Sequence, residues 1–116
     1  MTGGAAADDF DFNTVAEIGR GATRDIVRDF THLVDDIDVS TIDANGAAAG
    51  NTAFIFKAAK GAAFTDIGQL RWFQDNQPGT ANDKTIIEGN TTGSSAAEFQ
   101  IELTGLKTLT ATDFIL

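Results

Sequence analysis

His32 is the one imidazole in the chain, and it stands close in sequence to Asp29, Asp35 and Asp36. An imidazole among carboxylates is raw material for a metal site or for acid–base chemistry. A lone histidine is far more often an ordinary surface residue, and that is the reading adopted. Ser40, Thr41 and Asp43 put two hydroxyls beside a carboxylate, but no second histidine exists to serve as base. They read better as a helix N-cap and a turn. Asp35-Asp36-x-Asp38 opens like the D-x-[DN] start of an EF-hand loop, yet the glycine and bidentate glutamate of that loop do not follow. The H-E-x-x-H signature is absent, so the chain cannot host a catalytic zinc of that type. Cysteine is absent too, which excludes disulfides and thiolate metal sites. Nothing here assembles a catalytic centre. The chain reads as a module and not as an enzyme.

A different chemistry is suggested at the start. Gly3-Gly4-Ala5-Ala6-Ala7-Asp8-Asp9-Phe10 can be laid on G-G-x-G-x-D-x-U, the calcium-binding nonapeptide of RTX β-rolls. Gly3, Gly4, Asp8 and Phe10 fit, and Ala6 replaces the third glycine. In such a repeat glycine permits the tight turn, Asp holds the ion and the apolar residue enters the roll. Asp8 is thus a calcium candidate. Asp25, at the head of the next β-like segment, is the second, because that segment would lie against the first in a roll. Calcium takes 6–8 oxygens, so two side chains need carbonyls, water or a preceding repeat to complete the shell. In the isolated chain the site is expected to be weak.

The other unusual stretch is Asp113-Phe114-Ile115-Leu116, one acid followed by three large apolar residues. Terminal residues are usually polar and frayed. This tail reads either as a buried last strand or as a signal.

The elements that must position these residues are short. Asp9 to Phe12 alternates and reads as a strand, as do Asp25 to Phe30 and Asp36 to Ser40. Residues 13–24 read as a loop with Gly19 and Gly21 as breakers, and residues 40–45 as one helical turn closed by Gly46. Further strands are expected at Ala53–Phe56, Gln69–Phe73, Thr85–Glu88 and Ala97–Leu103. In the last, Phe99, Ile101 and Leu103 share one face and Glu98, Gln100 and Glu102 the other. Arg71 and Trp72 could form a sugar- or peptide-binding surface, but Trp72 or its neighbours Leu70 and Phe73 are expected to line the core. The sum is all-β: a short-strand β-sandwich or β-roll-like cap with at most one short helical turn.

Length and composition set the outer bounds. The chain has 116 residues, the size of a single domain, and 42% of them are hydrophobic, enough for a modest core. Its net charge is −9, with 13 Asp against 4 Glu. Such acidity disfavours nucleic acid and anionic membrane surfaces. No stretch approaches the ~20 apolar residues of a membrane span, and Met1-Thr2-Gly3-Gly4 does not begin a signal peptide.

Taken in order, these segments resemble a known family. Asp8-x-Phe10-x-Phe12, Asp25-Ile26-x-x-Asp29-Phe30 and Asp36-Ile37-Asp38-x-Ser40-x-Ile42-Asp43-Ala44-Asn45 are similar to the C-terminal domain of serralysin-type secreted metalloproteases. So are Ala53-Phe54, Gly68-Gln69-Leu70-Arg71, Phe99-x-Ile101-x-Leu103-x-Gly105 and Leu109-Thr110-Ala111-x-Asp113-Phe114-Ile115-Leu116. The resemblance implies a remnant of a last RTX-like repeat at residues 1–12 and a capping and secretion domain at residues 13–116. It implies upstream RTX repeats and a catalytic domain, calcium shared with the repeats, and extracellular localisation. It also implies an uncleaved C-terminal signal, Asp113 to Leu116, read by a type I ABC transporter. The loop Gly89 to Ala97 carries no carboxylate, unlike the Asp- and Gly-rich loop of relatives, which argues against calcium in that hairpin. The same module also ends exported proteins that are not proteases. The rival reading is a free-standing β-sandwich that binds or inhibits a partner.

Overall fold

A computed structural model describes residues 1–79 and 81–116. Among the described residues eight strands follow one another: β1 (Asp9–Asp11), β2 (Asp25–Val27), β3 (Asp36–Asp38), β4 (Ile55–Phe56), β5 (Gln69–Asp75), β6 (Lys84–Gly89), β7 (Phe99–Thr104) and β8 (Phe114–Ile115). They form two sheets, one of three strands ordered β1-β3-β8 and one of five ordered β2-β7-β6-β5-β4. The three-stranded sheet is wholly parallel. In the larger sheet β5, β6 and β7 are an antiparallel meander, while β2 and β4 flank it in parallel. The all-β expectation holds.

Alternation explains which side each strand buries. Phe99, Ile101 and Leu103 are fully enclosed on the inner face of β7, and Gln100 and Glu102 point outward. Leu70 and Trp72 do the same on β5, so Trp72 is a core residue, and its Nε1 donates to Ala58 O at 3.1 Å. From the smaller sheet Phe10, Ile37 and Phe114 enter the same core, joined by Phe12 and Val39. Two ring pairs stiffen the core: Phe54, just before β4, meets Phe99 of β7 edge-on at 5.7 Å, and Phe56 of β4 meets Phe114 of β8 at 4.7 Å and joins the two sheets. Such pairs contribute roughly 0.5–1.5 kcal/mol beyond their buried area. The close packing extends to the backbone. A Cβ added at Gly89 would come within 2.2 Å of two Phe99 ring carbons.

Among the described residues the one α-helix, α1 (Val15–Ile18), lies where the sequence suggests only a loop. Thr14 caps it, its Oγ1 accepting the Glu17 N–H, and Gly19 ends it at φ +72°. This places Gly19 and Gly21 against β7: Gly19 O accepts the Gln100 N–H, and Gly21 N–H donates to Gln100 Oε1. The helical turn expected at residues 40–45 does not form. Asp38 takes the Ser40 N–H and hydroxyl, and Asp43 takes the N–H groups of Asn45 and Thr52. These short carboxylates offer the backbone a turn instead of a helix. β2 is also shorter than expected. Beyond Val27 the chain turns so that Asp29 accepts N–H groups of Gly3 and Gly4, at 2.9 Å each.

Because Ile101 is enclosed on β7, an inner strand of the larger sheet, Ile101→Asp buries an unpaired charge and should cost at least about 4 kcal/mol. A thermal melt by circular dichroism should show no cooperative transition. A melt near that of the parent chain would place Ile101 outside the core.

Candidate functional site: the anchored C-terminal tail

The chain reaches its end through a 3-10 turn, Ala111–Asp113, followed by β8. β8 pairs in parallel with β3, with Ile37 opposite Phe114 and Asp38 opposite Ile115. It forms one edge of the smaller sheet. Phe114 faces inward and is buried, Ile115 faces outward and is exposed, and Leu116 packs partly against the core. Val39 N–H donates to Ile115 O at 3.0 Å and extends the pairing.

The fixing point is Asp113, whose carboxylate is fully buried. It accepts the Leu33 N–H at 3.1 Å, the Thr110 N–H at 2.8 Å and a bond from His32 Nδ1 at 2.7 Å. His32 is one-third exposed, so its ring covers the carboxylate from the solvent side. This is the structural role of the lone histidine. Sequence reading placed it among Asp29, Asp35 and Asp36, whereas its partner lies 81 residues away. A buried carboxylate without such partners would be strongly unfavourable.

The receiving loop is held by a second buried carboxylate. Asp35 accepts the Asp8 N–H at 3.0 Å through one oxygen and the Thr31 N–H at 2.8 Å through the other. Between the two anchors Leu33 adopts φ +65°, a left-handed conformation, with its side chain exposed. Such a conformation costs a non-glycine residue roughly 1–2 kcal/mol. The hydrogen bond from its N–H to Asp113 offsets that cost. The tail therefore constrains residues 31–35 as much as they constrain the tail.

The candidate calcium ligands are set apart. Asp8 immediately precedes β1 of the smaller sheet, and Asp25 opens β2 at an edge of the larger one, in register with Ile101. Asp8 Oδ2 is occluded and lacks a hydrogen-bond partner, and Gly3 lies so close that a Cβ there would fall within 2.4 Å of it. An orphaned acceptor beside a glycine fits a cation, but it is one oxygen of the six to eight that calcium needs. Among the described residues no group of three or more acidic or histidine side chains is arranged to hold a metal ion. The amides of Gly3 and Gly4 already grip Asp29, and they hold its carboxyl below the usual range. Side chains of Asn90 and Glu98 organise the loop after β6. Asn90 Oδ1 accepts from Thr92 and Gly93 N–H, its Nδ2 donates to Ser94 O at 2.6 Å, and Glu98 takes the Thr91 N–H.

An acidic face lies beside the tail. Parallel pairing sets Asp9 opposite Asp36 and Asp11 opposite Asp38 on the outer side of β1 and β3. Burial, then the charges of Asp9, Asp113, Asp35 and Asp38, push the Asp36 carboxyl above its ordinary value. A raised folded-state value means that ionised Asp36 opposes folding above that value and ceases to do so once protonated. Asp36→Asn should therefore stabilise the domain at neutral pH. The gain should vanish as pH falls through the raised range, which urea titrations at several pH values measure.

Asp113→Ala leaves the Leu33 and Thr110 N–H groups without their acceptor. It should lower the unfolding free energy by about 2–4 kcal/mol, read from urea titration at neutral pH. A loss below 0.5 kcal/mol, the ordinary scatter of surface substitutions, would contradict the anchoring.

The family model described as peptidase M10 serralysin C terminal matches residues 2–116. No curated protein matches the chain. The matched span takes in both sheets, α1 and the anchored tail. This family is the non-catalytic C-terminal domain associated with secreted M10 metalloproteases. Among the described residues no helix is long and apolar enough to cross a membrane. With all but its first residue inside the match, the chain belongs to the peptidase M10 serralysin C-terminal family.

Proposed function

We propose that this domain works as the capping and secretion module of an exported RTX-type protein, in the usual case a zinc metalloprotease whose catalytic residues lie elsewhere in the parent chain. The observation that carries the reading is the state of the tail. Asp113 is fully enclosed and Phe114 is buried against Phe56. In the unfolded chain the same residues are an exposed acid followed by three apolar side chains. A type I transporter accepts unfolded substrate and can read them then. After export the fold takes in Asp113 and Phe114 and, in part, Leu116, while Ile115 stays exposed. Burying a side chain such as Phe114 contributes roughly 1.5–3 kcal/mol, so that part of the spent signal joins the core.

Calcium enters at the other end of the smaller sheet. Asp8 supplies one unsatisfied oxygen next to Gly3, and upstream repeats would supply the rest. Asp25, in the other sheet, is the weaker candidate ligand. An ion bound only by the native state stabilises it by mass action. Extracellular calcium would thus favour folding outside the cell.

Two experiments test this. The chain is fused to a passenger in cells with a type I exporter, beside a fusion lacking residues 113–116. The intact fusion should reach the medium and the truncated one should remain inside. Equal export would leave the tail a structural role only. Calorimetric titration with calcium should give weak binding to the isolated chain and tighter binding once upstream repeats are joined. Equal, tight binding by both would place the site elsewhere.

A further inference from the structure

The outer face of the larger sheet carries a second built feature. Arg71, Glu88 and Gln100 stand in one row across β5, β6 and β7. Glu88 is 7% exposed. One of its oxygens accepts Arg71 Nε at 2.8 Å and the other accepts Gln100 Nε2 at 2.6 Å. Gln100 Oε1 is taken by the Gly21 N–H at 2.8 Å. The guanidinium of Arg71 also lies 3.9 Å above the Phe64 ring. Arg71 is therefore held at its Nε and on one face. Its two Nη groups donate to no protein acceptor among the described residues. Arg20 reaches the same place, with only Nη1 engaged, on Ala97 O at 2.9 Å.

These groups bound a cleft of about 540 Å³ whose other walls are Gly21, Ala96 and Ala97. A second cleft of about 280 Å³ adjoins the other side of the Arg71–Glu88 pair, walled by Gly61, Ala62, Ala63 and Phe73. The first volume lies in the range of ligand sites. The row has unused Nη donors, while each of its acceptor oxygens already takes a hydrogen bond.

We propose that this trough binds a carboxylate borne on an extended acidic peptide, with Arg71 gripping the carboxylate through its two Nη groups. A guanidinium fork matches a planar carboxylate, and one already pinned by Glu88 and Phe64 loses little freedom on binding. The walls are small residues, which leaves room for a peptide backbone. The clefts on both sides of Arg71 let a chain lead in and out. Two arginines and one glutamate leave one net positive charge, which matches a single carboxylate and not a phosphate dianion. The chain's overall charge of −9 does not forbid this, because exposed charges beyond about 8 Å are screened at physiological salt.

The test uses the full chain and a capped five-residue alanine peptide with one central glutamate, followed by ¹H–¹⁵N NMR. Saturable shifts are expected at the Gly21 and Ala97 amides and at Arg71 Nε–H. The peptide with glutamine in place of glutamate should bind about tenfold more weakly or not at all. Arg71→Lys keeps the charge, loses the fork and should abolish the shifts. Arg20→Gln, which leaves the Arg71–Glu88 pair intact, should weaken them. Equal binding of the glutamine peptide, or no saturable shift at millimolar glutamate peptide, overturns the proposal. Tighter binding of a phosphoserine peptide overturns the carboxylate assignment.

Discussion

Everything at the C-terminal end depends on one buried carboxylate. Asp113 has no contact with solvent, and an ion so placed persists only if its lone pairs are filled. The Leu33 and Thr110 amides and the His32 ring fill them. Each partner is held in place by that demand. Leu33 accepts an unfavourable backbone conformation, the 3-10 turn is pinned at its head, and His32 lies over the site. Phe114 follows directly, and its direction into the core is set by the residue before it. Through Phe56 it joins the small sheet to the edge of the large one.

The parts of the fold that were legible in the sequence are those in which local pattern and tertiary burial agree. The alternation at Phe99, Ile101 and Leu103 marks a buried strand, and β7 is one. The tail's three apolar residues mark an unusual end, and Phe114 is buried. Failures came where side chains compete for backbone groups. The residues after Ser40 have helix-cap chemistry, but Asp38 and Asp43 spend it on turns. Residues 13–24 read as a loop because of Gly19 and Gly21, whereas Thr14 caps the short helix α1 through the Glu17 N–H. The His32–Asp113 pair was not legible, because its members are brought together only by β3–β8 pairing. The parallel order of the small sheet was equally hidden, since alternation gives the face of a strand and not its neighbour.

The same geometry divides labour along the chain. The first residues hold the unpartnered Asp8 Oδ2, the last residues enclose Asp113 and Phe114, and the larger sheet adds Leu70, Trp72, Phe99, Ile101 and Leu103 to the shared core. In the function proposed above, order of events matters: recognition precedes folding, and folding then encloses Asp113 and Phe114. On the acidic face of β1 and β3, ionised Asp36 opposes folding, and its protonation relieves that opposition.

The most direct measurement of the central claim is native-state hydrogen exchange of the intact chain. The Leu33 and Val39 amides donate to the tail, to Asp113 and to Ile115, and Ile101 reports the inner strand β7 of the larger sheet. If the tail is part of the folded core, Leu33 and Val39 exchange through the same global opening as Ile101, with opening free energies that agree within about 1 kcal/mol. If Leu33 and Val39 exchange at the rate of a free peptide while Ile101 stays protected, the tail is undocked in the folded protein and the account is wrong.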